Sequence, residues 1–180
     1  LDEVSDVTGV ATDRSTTATL KAGEVLMADV NIVGTTPGYS DVRDVPVASG
    51  RFISSEEVQR ASKVAVLGAS LAEELFGPED PVGQSVTAGT AKLTVVGVAA
   101  PKGVVGNTDY DEQLYIPLTL VNKKFLPSRM IRMFGDRVGA IYVEVAPDAD
   151  KEVVSRKIQN LLARRHDVEL ADLPFTVSTQ

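Results

Sequence analysis

The sequence predicts an α+β fold. Short β-branched runs bounded by Gly or Pro recur through its middle, at Val64–Leu67 and across residues 92–99. Between and after them, apolar residues fall at helical spacing: Leu71, Ala72, Leu75 and Phe76, then Val154, Ile158, Leu161 and Leu162. The last 42 residues are expected to read strand, helix, strand, a βαβ or split-βαβ unit. That unit needs a sheet neighbour, and Val25–Val33 is expected to supply it, with the two chain ends side by side.

Taken in order, Val7, Val10 and Ala11 suggest a first strand. Val25–Val33 is a second, closed by Gly34 and the turn signal Thr36-Pro37-Gly38. Residues 42–53 read as short extended pieces broken by Pro46 and Gly50. Ser54 with Glu57 three positions on is a capping box, so a short helix to about Arg60 follows. Val64–Leu67 is a buried strand, and the helix after it stops at Gly77-Pro78. Residues 84–88 and 92–99 are two strands around Gly89-Thr90, the second an interior strand. Pro101–Asp111 reads as a flexible loop, Gln113–Ile116 as a strand ended by Pro117, and 118–126 as weakly helical. Residues 122–137 are basic, with five Lys or Arg against one Asp. Ile141, Val143 and Val145 alternate as a strand. The final helix begins near Pro147-Asp148 and ends on Arg164, Arg165 and His166, where positive charge suits the helix dipole. Phe175–Ser178 is the expected last strand.

Composition narrows the function classes. At 43% hydrophobic and 24% charged, 180 residues suffice for a packed globule of one domain or two small subdomains. The net charge of −7 makes a nucleic-acid partner a poor fit. Cysteine is absent and histidine occurs once, at His166. Thiol catalysis, Cys-based zinc sites and two-histidine metal motifs therefore fall away, and no metal or other cofactor is expected. No run approaches the ~18 apolar residues of a membrane helix. The chain opens on Leu1-Asp2-Glu3-Val4, without a start methionine or basic leader. It is expected to be a piece of a longer protein.

Individual motifs yield few chemical candidates. Gly68-Ala69-Ser70 follows a strand and opens a helix, as a nucleophile elbow does, and Ser70, an Asp and then His166 would match an α/β-hydrolase order. Against this, His166 has a ready place at a helix end, no His-Gly-Gly segment offers an oxyanion hole, and the third elbow glycine is Ala72. Ser70 is read instead as a helix cap. A small secreted serine hydrolase using Ser70 and His166 stands as the alternative. Nucleotide loops are missing, since neither Gly-x-Gly-x-x-Gly nor a Walker motif occurs. Asp109, Asp111 and Glu112 are read as a solvated acidic loop, because the EF-hand glycine and distal glutamate are absent. Lys123, Lys124 and Arg129 offer a basic contact face, and Met130, Met133 and Phe134 an adaptable apolar one. A solvated face and ordinary core filling are the competing readings.

Several phrases, taken in order, resemble one family. They are Val33-Gly34-Thr35-Thr36-Pro37-Gly38-Tyr39, Val47-Ala48-Ser49-Gly50-Arg51-Phe52 and Lys63-Val64-Ala65-Val66-Leu67-Gly68. Then come Leu75-Phe76-Gly77-Pro78-Glu79-Asp80-Pro81-Val82-Gly83-Gln84, Leu93-Thr94-Val95-Val96-Gly97-Val98 and Leu114-Tyr115-Ile116-Pro117-Leu118. Their order and spacing resemble the extracytoplasmic core domain of MacB-like and FtsX-like ABC transporter permeases. The resemblance implies a porter-like subdomain built from both chain ends, 1–40 and 138–180, with an inserted strand-rich subdomain over 41–137. It also implies a non-catalytic domain on the periplasmic or outer face of a bacterial cytoplasmic membrane. Such a domain couples ATP hydrolysis by a separate cytoplasmic ATP-binding subunit to export, lipoprotein release or partner activation. The partners implied are that ATP-binding subunit, reached through the membrane part, and a second permease copy or homologue. A periplasmic adaptor, a lipoprotein or a cell-wall hydrolase are the outside candidates.

Overall fold

A computed structural model describes residues 4, 6–126, 138–167, 169 and 176–178. The fold is α+β and strand-rich. The described elements run β1 (Val7–Ala22), β2 (Val25–Thr35), α1 (Tyr39–Val42), β3 (Val47–Gly50), α2 (Ser55–Arg60), β4 (Val64–Leu67) and α3 (Ala69–Phe76). They continue with β5 (Ser85–Ala88), β6 (Ala91–Ala99), β7 (Val104–Val105), β8 (Thr108–Asp109), β9 (Gln113–Pro117), α4 (Leu118–Lys124), β10 (Ala140–Val145) and α5 (Lys151–His166).

The main sheet has the order β10-β1-β2-β9-β4-β6-β3, and β5 pairs with both β1 and β6. The pairings therefore close on themselves through β1, β2, β9, β4, β6 and β5. The pairs β1–β2, β1–β5, β3–β6, β4–β9 and β5–β6 are antiparallel, and β2–β9 and β4–β6 run parallel. Strand alternation sorts the side chains into two cores. Ile32, Ala65, Leu67, Leu93, Val95, Leu114 and Ile116 pack with Leu71, Leu75, Leu120 and Val121 from α3 and α4. The neighbours facing the other way, Val33, Val66 and Tyr115, pack with Ala11, Tyr39, Val45, Ile53 and Tyr110. Each fully buried Leu or Ile contributes about 1.5–3 kcal/mol.

Local chemistry sets the element ends. The Ser54 side chain accepts the Glu57 N–H while the Glu57 carboxylate accepts the Ser54 N–H at 2.9 Å, completing the expected capping box. Gly50 has φ +72, and a Cβ there would lie 2.3 Å from the Val96 carbonyl oxygen. Glycine suits this left-handed position tight against β6, where the following Arg51 N–H still donates to the Val96 carbonyl oxygen at 3.0 Å. β1 runs longer than its apolar residues suggest, because the intervening threonines suit a pleated, half-exposed strand. The flexible loop expected at 101–111 instead contains the β7–β8 hairpin.

Two compact units divide the chain: Leu1–Val10 with Val143–Gln180, and Ala11–Tyr142. In the first, Val4 packs with Val154, Ile158 and Leu161 of α5, and with Val143 and Val145. The Ala146 N–H donates to the Asp6 carbonyl oxygen at 2.9 Å. Asp150 caps α5 by accepting from the Glu152 and Val153 N–H groups. Of the strand expected at Phe175–Ser178, Phe175 lies outside the described residues and 176–178 carry no strand. The larger unit holds β2, which pairs antiparallel with β1 from Asp13 to Ala22 and in parallel with β9 from Asn31 to Thr35. Its limits at 10/11 and 142/143 lie inside the ranges 1–40 and 138–180 expected from the sequence.

Candidate functional site

The basic contact face starts at the end of α4. Buried Leu120 and Val121 hold that helix against the sheet, which leaves Lys123 and Lys124 exposed in its last turn. There the two ammonium groups also complement the helix dipole. Arg129, Met130, Met133 and Phe134 lie outside the described residues.

A second exposed feature is the β7–β8 hairpin. Val104 is 65% exposed and Val105 53%, an apolar pair at a loop tip. The base of the hairpin is tied down. One Asp111 carboxylate oxygen accepts the Lys102 N–H at 2.8 Å and the other accepts the Gly103 N–H at 2.9 Å. Asp109 accepts the Asp111 N–H at 3.0 Å. These carboxylates brace the loop backbone, and among the described residues no group of three or more His, Asp or Glu is placed to hold a metal ion.

Beside that base lies a cluster that sequence reasoning missed. All four tyrosines of the chain come together there: Tyr39 packs against Tyr115 and Tyr142, the Tyr115 hydroxyl donates to the Tyr110 carbonyl oxygen, and Arg43 lies over the Tyr110 and Tyr142 rings. The Arg43 guanidinium sits 4.3 Å from the Tyr142 ring centre and 5.8 Å from that of Tyr110, and it donates to the Tyr110 hydroxyl. Tyr142 donates to the Asp13 carboxylate at 2.9 Å. The Lys102 ammonium donates to the Arg43 carbonyl oxygen at 3.0 Å and lies 5.1 Å from the Tyr110 ring centre. Burial raises the Asp13 carboxyl above its usual range, against the opposing pull of Tyr142, Arg43 and the Ala140 backbone. Burial, with the Asp13 charge, pushes Tyr142 up to about 12. Tyr39 and Tyr115 rise further, burial again being the main cause. At neutral pH these phenols keep their protons, so they donate hydrogen bonds and act as ring surfaces, not as bases. The one trace in the sequence was that Tyr39 and Tyr115 lie in two of the family phrases. Tyr110, Tyr142, Asp13 and Arg43 follow no period or spacing.

The structure corrects the reading of Ser70. Gly68, not Ser70, is the N-cap of α3, and no side chain caps that helix. A Cβ on Gly68 would meet the Asp111 carbonyl oxygen at 2.3 Å, so the glycine is there for close backbone packing. The Leu71 N–H donates to that same Asp111 oxygen at 3.0 Å. In a nucleophile elbow this N–H, from the residue after the nucleophile, would face the oxyanion. Here it is already satisfied, and Ser70 and His166 belong to different compact units. The serine-hydrolase alternative is not supported.

Comparison with known proteins decides the family. Residues 1–161 match the family model described as the MacB-like periplasmic core domain. The chain belongs to this family. A relative named macrolide export ATP-binding/permease protein MacB, from Bdellovibrio bacteriovorus, is 33% identical over 144 residues, or 79% of this chain and 21% of its own length. Another of that name, from Chlorobaculum tepidum, is 31% identical over 178 residues, or 96% of this chain and 24% of its own. The chain thus spans a quarter or less of these relatives. Among solved structures, the periplasmic region of MacB from Actinobacillus actinomycetemcomitans superposes with a TM-score of 0.76 at 24% identity. That match covers 93% of this chain and 71% of the other. The extracellular domain of the ABC-type transporter YknZ from Gram-positive bacteria gives 0.75 at 20% identity, covering 94% and 82%. These two likenesses show the shared fold. Within the MacB-like core domain, the Leu75–Gln84 phrase is the α3 stop and the turn into β5, and Leu114–Leu118 is β9 running into α4.

Proposed function

We propose that this MacB-like core domain is the non-catalytic extracytoplasmic part of an ABC transporter permease. It couples ATP hydrolysis by a cytoplasmic ATP-binding subunit to movement outside the membrane. The family match over residues 1–161 carries the proposal. The subunit is engaged through membrane segments, and a second permease copy or homologue completes the transporter. Macrolide export is what the relatives' names state of them. For this chain a periplasmic adaptor, a lipoprotein or a cell-wall hydrolase are the partners to test. The proposal includes a functional division into a porter-like part, 1–40 with 138–180, and an inserted part, 41–137. In its support, the smaller compact unit draws on both chain ends.

Contact with an outside partner is assigned to the inserted part, at Lys123, Lys124, Arg129, Met130, Met133 and Phe134, together with the hairpin valines Val104 and Val105. The coding sequence on either side tests the permease reading. A ~20-residue apolar segment before this chain and three after it are expected. A signal peptide before it and a stop codon after it would sink the reading. The contact surface is tested by reversing the charge of Lys123, Lys124 and Arg129 in the full-length protein. Transport or partner recruitment should fall while the protein still folds. Unimpaired function in a folded variant removes this surface from the proposal.

A further inference from the structure

The base of the β7–β8 hairpin and strand β10 are far apart in sequence, and a single side chain touches groups from both. Arg43 follows α1 and projects between the rings of Tyr110, next to the hairpin, and Tyr142, on β10. On the hairpin side it donates to the Tyr110 hydroxyl, while its own carbonyl oxygen accepts from the Lys102 ammonium. On the β10 side it covers the Tyr142 ring, whose hydroxyl is held by Asp13. The Gly139 N–H, just before β10, donates to the Asp13 carbonyl oxygen at 2.7 Å. Contacts thus run Lys102, Arg43, Tyr142, Asp13, Gly139 without a break, all inside the Ala11–Tyr142 unit.

The fastening of Arg43 is incomplete. Its Nε is buried without a hydrogen-bond partner, and among the described residues the guanidinium makes no salt bridge. A buried donor left unmatched costs free energy. A guanidinium held by ring faces and one hydroxyl, with only charge attraction to the Asp13 carboxylate, is fixed less rigidly than one in a closed bidentate pair.

We propose that Arg43 is a coupling residue: it makes the base of the β7–β8 hairpin and strand β10 respond energetically to one another. A hairpin held at its base by this cation, and exposed at its tip through Val104 and Val105, passes a displacement to the strand by which the chain leaves this unit. The coupling is a property of this unit alone and stands whichever partner the transporter serves.

The test is a mutant cycle in the 180-residue chain. Lys102→Met and Tyr142→Phe are made singly and together, in the wild-type and Arg43→Met backgrounds, and unfolding equilibrium constants are measured by denaturant titration. With wild-type Arg43, the double variant should depart from the product of the single effects by about threefold or more. With Arg43→Met it should agree with that product to within about twofold. Agreement in the wild-type background overturns the proposal, as does a departure that survives Arg43→Met. Should Arg43→Met fail to fold, Arg43→Lys, which lacks the planar fork, serves in its place. A second readout leaves residue 43 intact. In Lys102→Met, the Gly139 amide should exchange with solvent several-fold faster, while the Gly83 amide, bonded to the Val95 carbonyl, keeps its rate. An unchanged Gly139 rate means the coupling is absent.

Discussion

Gly68 shows how one residue can suggest chemistry and serve packing. Its lack of a side chain admits the Asp111 backbone, so Gly68→Ala drives a Cβ into a carbonyl that cannot yield alone. Thermal or urea denaturation should show a loss of about 1–3 kcal/mol, the cost of overpacking. Ser70→Ala should stay within about 0.5 kcal/mol of wild type in the same assay, since the hydroxyl caps nothing. Glu57 makes a pH-dependent claim at the same scale. Two short contacts from Arg51, at 2.7 and 2.8 Å, together with the Ser54 bonds, hold its carboxyl down to about 2. The folded value lies below the ordinary 4.5, so this stabilisation is present above about pH 4.5 and is lost as pH falls towards about 2. The melting-temperature gap between wild type and Glu57→Gln should therefore narrow over that window. A gap that stays constant there would contradict the assignment.

Helix ends govern what the elements can tolerate. Asp150 satisfies two N–H groups at the start of α5, so Asp150→Ala should cost about 1 kcal/mol and lower the melting temperature. An unchanged melting temperature would mean that this cap is not formed in solution. The lysines ending α4 are exposed and interact mainly with solvent and the helix dipole. Reversing Lys123 and Lys124 should cost about 0.3–1 kcal/mol each and leave a folded domain, checked by circular dichroism. Collapse of that variant would show that the segment is packed and not a contact face. The elements were mostly legible beforehand. The α2 capping box, the Gly77 stop of α3 and the alternation in β6 and β10 are local codes carried by a few adjacent residues. The β7–β8 hairpin was not legible, since two-residue strands have no measurable period and the Asp111 brace that holds them comes from eight or nine residues away.

For the molecule as a whole, the family and the composition point to the same expectation about energy supply. A MacB-like core domain of 180 residues without a glycine-rich phosphate cradle and its lysine should not bind ATP. Calorimetric titration of the isolated chain with ATP should give no binding heat, and ATP should leave its melting temperature unchanged. Micromolar affinity would overturn the division of labour proposed here.

What the sequence determined by itself was the α+β class, most element positions and, through the order of its Gly- and Pro-marked phrases, the family. Those features are local, or are turn and close-approach requirements that leave fixed residue types behind. Tertiary structure alone decided which elements share a compact unit, since β2 is fixed in the larger one by long-range pairing, antiparallel with β1 from Asp13 to Ala22 and parallel with β9. It alone revealed the tyrosine–arginine cluster, because Asp13, Arg43, Tyr110 and Tyr142 meet only once four separate segments are brought together by the sheet. It also assigned Gly68 to packing against Asp111, a residue 43 positions away. Contacts of that range leave no period and no motif in the chain, because their geometry exists only after the strands have paired.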